Sequence, residues 1–347
     1  MNNSKESISF YNLYKSMHKC KSGVMWKDGT INFVINGPSE IYKLEQSLQN
    51  GTYEERKHKI FTIYEPKKRD VLSFSFRDRV YHRSLCDNLI YPTMTKSYIY
   101  DNHASQIGKG PDKARNRLKC FLQRYFRENK TNDGWVLQCD IKGYYPNMPH
   151  EIVKNVFREK LDNFGYQAVE RTLNSYPGDI GYNPGSQIIQ IAGTSVLDKY
   201  DHIVKEEWRI KKYIRFNDDF ILIHSSKEKL EQCLEETRKY LKELGFDLNK
   251  KTKIYNIKDG ITFLGFKFIL TDTGKVIQLV SSEKVKLRKR KIRRMAKLVK
   301  KGVLPKEKYF ESYNSWRAHA SKGNSFKLIK RMDKYCLDQL RTRSDIL

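Results

Sequence analysis

The sequence lacks the features of membrane, disulfide-rich and zinc-cluster proteins. No apolar run among its 347 residues approaches the roughly 20 that a spanning helix needs, and its N-terminus lacks the apolar segment of a signal peptide. The six cysteines are scattered without C-x-x-C spacing, which argues against a zinc site and a disulfide framework. No internal repeat or low-complexity linker is present. We therefore expect a cytoplasmic protein with reduced, mostly buried thiols and no membrane partner.

Acidic residues are also scarce relative to basic ones. The chain has 40 Asp and Glu against 67 Lys and Arg, which gives a formal net charge of +27. Because 39% of its residues are hydrophobic, it can bury a core and still present a strongly positive surface. A nucleic acid is the natural partner of such a surface.

The spacing of apolar residues predicts an α+β protein with a mainly antiparallel sheet. Helices are predicted in the first 60 residues and over residues 78–89, 113–127, 150–160 and 186–206. Extended segments are predicted at residues 60–64, 71–76, 135–139, 253–255 and 262–268, with a hairpin over 213–224. Ser225 and Glu228 have the spacing of a capping box that starts the next helix, and Gly245 ends that helix. A basic helix follows at 284–301, in a separate C-terminal unit.

Three carboxylates form the candidate catalytic site. Asp218 and Asp219 are adjacent at the turn of the predicted hairpin, and Asp140 follows the predicted strand 135–139. If these strands are neighbours in one sheet, the three side chains converge at one edge. Such oxygen ligands favour Mg²⁺, and two ions roughly 4 Å apart, with Mn²⁺ able to replace them, would support in-line nucleotidyl transfer. A solvated acidic surface turn is the alternative for the pair taken alone.

These residues resemble two motifs of reverse transcriptases. Asp140 with an aromatic five residues later, Tyr145, resembles the first catalytic motif of that family. Phe216-Asn217-Asp218-Asp219 resembles its Tyr-x-Asp-Asp box, with Phe in place of the usual Tyr.

Three further segments carry the resemblance, in the order that the family shows. Lys67 and Arg69, in a basic turn, correspond to the residues of the fingers that clamp the triphosphate, although solvated turn charges are the alternative. Residues 181–201 resemble the loop and helix that press on the template and the incoming nucleotide; Gly185 and Gln190 match, and Ile189 replaces the usual Ser. Phe263-Leu264-Gly265-Phe266 is similar to the primer-grip turn.

The resemblance implies a right-hand polymerase. Its fingers would be residues 1–134, its ferredoxin-like antiparallel palm 135–275 with an insertion at about 165–190, and its basic helical thumb 276–347. Asp140, Asp218 and Asp219 would be catalytic and would hold the metal ions together with Ile141. Lys251 would be the general acid to pyrophosphate, with Lys250 and Lys253 as alternatives.

The resemblance also implies two sets of binding residues. The deoxynucleotide would contact Lys67, Arg69, Tyr145 and Gln190, with the Tyr145 ring excluding a 2′-hydroxyl. The template and product would contact Lys109, Arg117, Phe263, Leu264, Gly265, Lys284, Arg288, Lys291 and Arg294. For the basic residues, a solvated helix face is the alternative.

Within the family, three features resemble the enzymes of diversity-generating retroelements and the unclassified bacterial groups that include defence-associated reverse transcriptases. They are Gln190 in place of Pro, the Gly108-Lys109-Gly110 stretch and the run Ser315-Trp316-Arg317-Ala318-His319. Ile189 and Phe216 depart from the diversity-generating pattern, which favours an antiphage role. We then expect a dedicated noncoding RNA template, a DNA product, deoxynucleoside triphosphates and an accessory protein encoded nearby as partners. A mutagenic retroelement enzyme and an RNA-binding scaffold without turnover are the alternatives.

Overall fold

The computed structural model describes residues 4–57, 59–64, 69–183 and 185–341, and for Arg69 and Asp70 only the backbone. Its helices are α1 Phe10–Cys20, α2 Asp28–Ile35, α3 Gly37–Gln49, α4 Phe76–Leu85, α5 Tyr91–Met94, α6 Pro111–Asn129, α7 His150–Lys160, α8 Asn163–Asn174, α9 Gln187–Ser195, α10 Asp198–His202, α11 Lys227–Glu243, α12 Ser282–Lys300, α13 Lys306–Ala320 and α14 Phe326–Asp338. Its strands are β1 Lys59–Ile63, β2 Arg69–Ser73, β3 Trp135–Asp140, β4 Tyr213–Phe216, β5 Asp219–His224, β6 Lys253–Asn256, β7 Ile261–Phe263, β8 Phe266–Leu270 and β9 Val276–Val280. The predicted α+β class is confirmed.

The strands form three sheets within the described ranges. One contains β1 and β2, the second has the order β4-β5-β3-β6, and the third has the order β7-β8-β9. The pairs β1 with β2, β4 with β5, β7 with β8 and β8 with β9 are antiparallel. In the second sheet β3 lies between β5 and β6, which sets the neighbours of its last residue, Asp140.

The chain forms two compact units. The first comprises the residues up to Gly110 together with Gln138–Leu222 and Glu231–Lys253, and the second comprises Pro111–Leu137, Ile223–Leu230 and the residues from Ile254 onward. The division into fingers, palm and thumb stays a prediction. In the second unit, α12, α13 and α14 enclose an apolar core of Ile292, Ala296, Tyr309, Tyr313, Met332 and Cys336. The predicted basic helix 284–301 is α12. The face of α12 that points away from this apolar core is exposed.

Three predictions of local structure are corrected. The predicted helix 186–206 is divided into α9, α10 and a π-helical turn, Ile203–Glu207. The predicted strand 262–268 is instead a hairpin, because Leu264 and Gly265 both have positive φ, at 45° and 88°, and reverse the chain between β7 and β8. Helix α11 is capped by Ser226 rather than Ser225: the Ser226 hydroxyl accepts from the Lys229 amide at 3.0 Å and donates to Glu228.

The cysteines are all free thiols, and four of them are buried. Cys20 is half-buried and burial raises the pKa of its thiol, whereas Cys120 on α6 is exposed. Across the described ranges, no helix combines the length and the apolar character that crossing a membrane requires.

Candidate active site

The backbone brings the three predicted catalytic carboxylates to neighbouring positions. Strand β3 ends at Asp140, and its neighbour β5 begins at Asp219. The Ile141 amide donates to the Asp218 carbonyl at 3.3 Å, which ties the residue after β3 to the β4–β5 turn. The strands are therefore neighbours, as the predicted convergence of the three residues required.

A two-residue turn presents Asp218. Phe216 pairs with Asp219 across the hairpin, which leaves Asn217 and Asp218 as the loop. Asn217 has φ of 55°, a left-handed conformation that asparagine tolerates better than most residues. Its carbonyl accepts from Arg215 Nη1 at 3.1 Å. The conformation of the turn is thus held by a side chain from the preceding strand.

The electrostatics of the site centre on Asp219. Burial, followed by the negative charges of Asp140 and Asp218, raises the pKa of Asp219 to about 7, against the opposing effect of a hydrogen bond from Gln138. Its Oδ1 atom is buried and has no hydrogen-bond partner among the described residues. A buried carboxylate oxygen left without a donor, next to two like charges, is stabilised by a nearby cation.

The acidic residues fit a divalent cation in charge and in donor type. The three carboxylates and the Ile141 carbonyl are hard oxygen donors, and the unsatisfied Asp219 Oδ1 is one such donor without a partner. As the side chains stand, no three Asp, Glu, His or Cys groups in the described part of the chain are arranged to enclose an ion.

Arg215 is a site residue that the sequence analysis missed. It is fully buried and forms two hydrogen bonds to Asp201, from Nε to Oδ1 at 2.7 Å and from Nη2 to Oδ2 at 2.6 Å. Nη2 also donates to the Thr194 carbonyl at 3.0 Å. Because Nη1 holds the Asn217 carbonyl, this ion pair fixes α10, the end of α9 and the acidic turn together. The sequence feature that could have revealed its role is a charged arginine in a strand whose other residues are apolar or aromatic.

Tyr144 and Tyr145 both approach Gly193 on α9. The Tyr144 hydroxyl donates to the Gly193 carbonyl at 2.6 Å, and Tyr144 is buried. A Cβ added at Gly193 would lie 2.8 Å from Tyr145 Cε1, so only glycine leaves room for that ring. Burial, together with the charge of Asp218, raises the pKa of Tyr145 to about 12. The ring of Tyr145 therefore packs against Gly193 and lies near enough to Asp218 to feel its charge.

Lys251 lies on the other side of β3. The Asn249 amide donates to the Asp140 carbonyl at 2.7 Å, and Asn249 Oδ1 accepts from the Lys251 amide at 3.1 Å. The Lys251 side chain is exposed. The backbone of Lys251 is thus anchored next to Asp140, and its role as a general acid stays a prediction.

The structure describes only some of the predicted nucleotide-binding residues. Lys67 lies outside the described residues, and so does the side chain of Arg69, whose backbone pairs with Ile63 at the start of β2. Gln190 is exposed on α9. Gly185 lies against β2. A Cβ at this position would be 2.5 Å from the Leu72 carbonyl oxygen, so any residue larger than glycine would clash there.

Of the predicted nucleic-acid contacts in the first unit, Lys109 has an internal role. Its ammonium donates to the carbonyls of Tyr100 and Asn102 at 2.9 and 2.8 Å, and to that of Ile99 at 3.4 Å. These bonds close the loop between residues 99 and 109. The contact of Lys109 with nucleic acid stays a prediction, and making it would require these bonds to open.

In the second unit the turn that was predicted to be the primer grip adjoins the basic helix. The Phe263 side chain is buried, so a contact of Phe263 with nucleic acid is left to its backbone. A Cβ added at Gly265 would lie 2.2 Å from Lys284 Nζ, which places that ammonium directly over the turn. Arg117 lies over the Phe121 ring at 4.5 Å on α6, and Arg294 is exposed on α12.

Comparison with known proteins identifies the family of the chain. Residues 83–268, more than half of the chain, match the family described as reverse transcriptase (RNA-dependent DNA polymerase). No curated protein is significantly similar to the chain in sequence.

Two solved structures show the same fold. Telomerase from Candida albicans in complex with a TWJ fragment of telomeric RNA gives a TM-score of 0.51 at 15% identity, covering 82% of this chain and 58% of that one. Apo telomerase from Candida tropicalis, truncated from its C-terminal domain, gives 0.50 at 15% identity, covering 64% and 54%. The chain thus spans a little over half of these telomerase chains.

The family and the shared fold confirm the predicted right-hand polymerase architecture. They also agree with the predicted enzyme class, since RNA-directed DNA polymerase is the description of the matched family. The chain therefore belongs to the reverse transcriptase (RNA-dependent DNA polymerase) family.

Proposed function

We propose that the chain synthesises DNA on an RNA template by nucleotidyl transfer. The observation that carries this proposal is the adjacency of Asp140 to the Asp218-Asp219 turn, fixed by the hydrogen bond from the Ile141 amide to the Asp218 carbonyl. A scaffold without turnover has no use for this cluster, in which burial and the negative charges of Asp140 and Asp218 raise the pKa of Asp219 to about 7.

The residues have distinct tasks in this proposal. Asp140, Asp218, Asp219 and the Ile141 carbonyl would hold two Mg²⁺ ions, which activate the attacking 3′-hydroxyl and neutralise the leaving pyrophosphate when bound. Arg215 keeps the turn in place through Asn217. Lys67, Arg69 and Gln190 are proposed to bind the deoxynucleoside triphosphate, and Lys251 to protonate pyrophosphate.

Tyr145 is proposed to select deoxynucleotides, with Gly193 setting the position of its ring. Gly193→Ala is expected to push the ring towards the nucleotide, because the new methyl group would lie within 3 Å of it. We expect kcat/KM for deoxynucleotides to fall about tenfold, a value typical of one methyl group in a tight pocket. In a Tyr145→Val background, Gly193→Ala should have little further effect. An equal effect in both backgrounds would show that Gly193 acts independently of Tyr145.

The template is proposed to be a dedicated noncoding RNA, and the role antiphage defence in the cytoplasm with an accessory protein encoded nearby. The net charge of +27 suits a chain that keeps an RNA bound. The alternative, a mutagenic retroelement enzyme, predicts a different product: DNA copied from a template repeat with frequent substitutions. Sequencing of the DNA separates the two.

The direct test uses the purified chain with the RNA that co-purifies. Labelled deoxynucleotides and Mg²⁺ are added, the DNA is sequenced, and Asp140→Asn and a chelator serve as controls. DNA complementary to one bound RNA, absent in both controls, is the expected result. Specific bound RNA without DNA synthesis, even after neighbouring gene products are added, would favour the scaffold.

A further inference from the structure

Strand β4, which leads into the acidic turn, is an edge strand that a loop covers. It stands first in the order β4-β5-β3-β6, so among the described residues no further strand pairs with its outer side. Residues 99–109, here called loop 99–109, lie along this side. The Arg215 amide donates to the Asp101 carbonyl at 3.1 Å, and the His103 amide donates to the Arg215 carbonyl at 3.0 Å. The loop thus pairs both polar groups of the Arg215 backbone, in a parallel bridge between Asn102 and Arg215.

One ammonium group holds this loop in shape. Apart from the bridge, residues 99–109 contain only turns and bends. Lys109 Nζ donates to the carbonyls of Asn102 and Tyr100 at 2.8 and 2.9 Å, and to that of Ile99 at 3.4 Å. An ammonium has three N–H donors, so three converging carbonyls match it. These carbonyls lie on both sides of Asp101, whose own carbonyl pairs with β4, so the ammonium sets the backbone of the pairing segment.

The backbone around Lys109 returns its side chain to the loop. Gly108 and Gly110 have φ of 74° and 125°, a region that favours glycine, so the chain turns sharply on both sides of Lys109. The Lys109 amide donates to the Gln106 carbonyl at 3.1 Å, and the Gln106 side chain donates to the Asn102 carbonyl at 2.7 Å. The Gly108-Lys109-Gly110 stretch therefore closes the loop, a role that its sequence did not indicate.

Arg215 connects the loop to the acidic turn. Its backbone is bonded to the loop, and its guanidinium donates to the Asn217 carbonyl, which precedes Asp218. The paired part of the loop is interior, because Asn102 is fully buried and His103 is 2% exposed. Since packed interiors transmit strain, a displacement of the loop would move β4 and the turn with it.

We propose that Lys109 is a positioning residue for the acidic turn, because its ammonium holds loop 99–109 against β4 and β4 holds the turn. This proposal rests on the proposed function in one respect: the turn is taken to be catalytic. It gives Lys109 a role inside the protein instead of a contact with template or product. That contact would engage the same three donors and withdraw them from the loop carbonyls. The two roles therefore have opposite effects on rate and on binding.

Hydrogen exchange followed by mass spectrometry tests the position of the loop without DNA synthesis. Lys109→Met keeps an apolar side chain and removes the ammonium. The amides of His103 and Arg215 are expected to exchange about tenfold faster, the equivalent of one lost hydrogen bond. Lys96→Met is the matched control, since it removes one lysine charge from the exposed surface of the preceding turn and should leave both amides unchanged. Unchanged exchange of the Arg215 amide in Lys109→Met would overturn the proposal.

Kinetics and binding separate positioning from contact with nucleic acid. In Lys109→Met, kcat for single-nucleotide incorporation is expected to fall about thirtyfold, since a misplacement of roughly 1 Å can cost about a hundredfold. The Kd for an oligonucleotide and its salt dependence should stay unchanged. Lys109→Arg should also lower kcat, because a planar guanidinium cannot direct three donors at converging carbonyls. Full activity in Lys109→Arg, with a salt slope reduced by about one ion in Lys109→Met, would instead assign Lys109 to nucleic acid.

A change of background separates positioning from a loss of stability. In the double variant Arg215→Met, Asp201→Asn the guanidinium bond to Asn217 is already absent, so adding Lys109→Met should lower kcat by less than about threefold. An undiminished loss would mean that Lys109 acts through folding alone and would contradict the proposal. A chain that makes no DNA in any form would refute the proposed function, whereas the exchange measurement would still decide whether Lys109 positions the turn.

Discussion

Asp218→Asn is expected to lower the rate of DNA synthesis by about a hundred- to a thousandfold, because one member of the acidic cluster loses its charge. The change keeps the shape of the side chain and the bond from the Ile141 amide to the Asp218 carbonyl. It also removes one of the charges that raise the pKa of Asp219, so stability should not fall. Single-turnover incorporation of one nucleotide measures the rate, and thermal unfolding measures the stability.

Asp247→Asn is the matched control for this prediction. Its carboxylate is exposed, and its backbone carbonyl accepts from the Lys142 amide near the same strand end. Its rate should stay within about a factor of two of the unaltered chain, since surface substitutions have small effects. If Asp218→Asn retained a third or more of the activity, Asp218 would not be catalytic.

Arg215→Met should destabilise the first unit by about 3–5 kcal/mol, because it leaves the Asp201 charge buried without its partner. The Thr194 and Asn217 carbonyls lose their donors in the same variant. Denaturant unfolding measures the loss of free energy of unfolding. An equal stability of the variant and the unaltered chain would mean that the ion pair contributes nothing to folding.

The double variant Arg215→Met, Asp201→Asn separates stability from catalysis. Asparagine removes the uncompensated charge and still accepts from the Tyr213 hydroxyl, whose bond to Asp201 is 2.6 Å. Much of the stability should therefore return. Activity should stay low, because the Asn217 carbonyl still has no donor from Arg215. Recovery of both together would show that Arg215 acts only through folding.

Local patterns predicted much of the fold. Apolar runs of strand length predicted the β4–β5 hairpin and β3, and helical spacing predicted α6 and α7, the latter with its bounds His150–Lys160. Gly245 ends α11 as predicted, with φ of 76°. These features depend on neighbours in sequence, which a single chain displays.

The features that the sequence did not predict depend on distant contacts or on unusual conformations. Leucine rarely adopts positive φ, so the apolar pattern of residues 262–268 predicted an unbroken strand, and only the resemblance to the primer-grip turn indicated a reversal at Leu264. Arg215 meets Asp201 across 14 residues, a contact that forms only in the folded chain. Lys109 was predicted to contact nucleic acid because nothing in the sequence indicates the three backbone carbonyls to which its ammonium donates.

The distribution of thiols makes the unaltered chain suitable for site-selective labelling. Cys120 is the one exposed thiol of six, all of which lie in described parts of the chain, and Cys20 is half-buried with a raised pKa. A maleimide dye at neutral pH should therefore react mainly at Cys120, since thiolate character and access set the rate. Cys120 is on α6, in the second unit, which also contains α12 and α13. A fluorophore attached there would label the second unit without the introduction of a new cysteine.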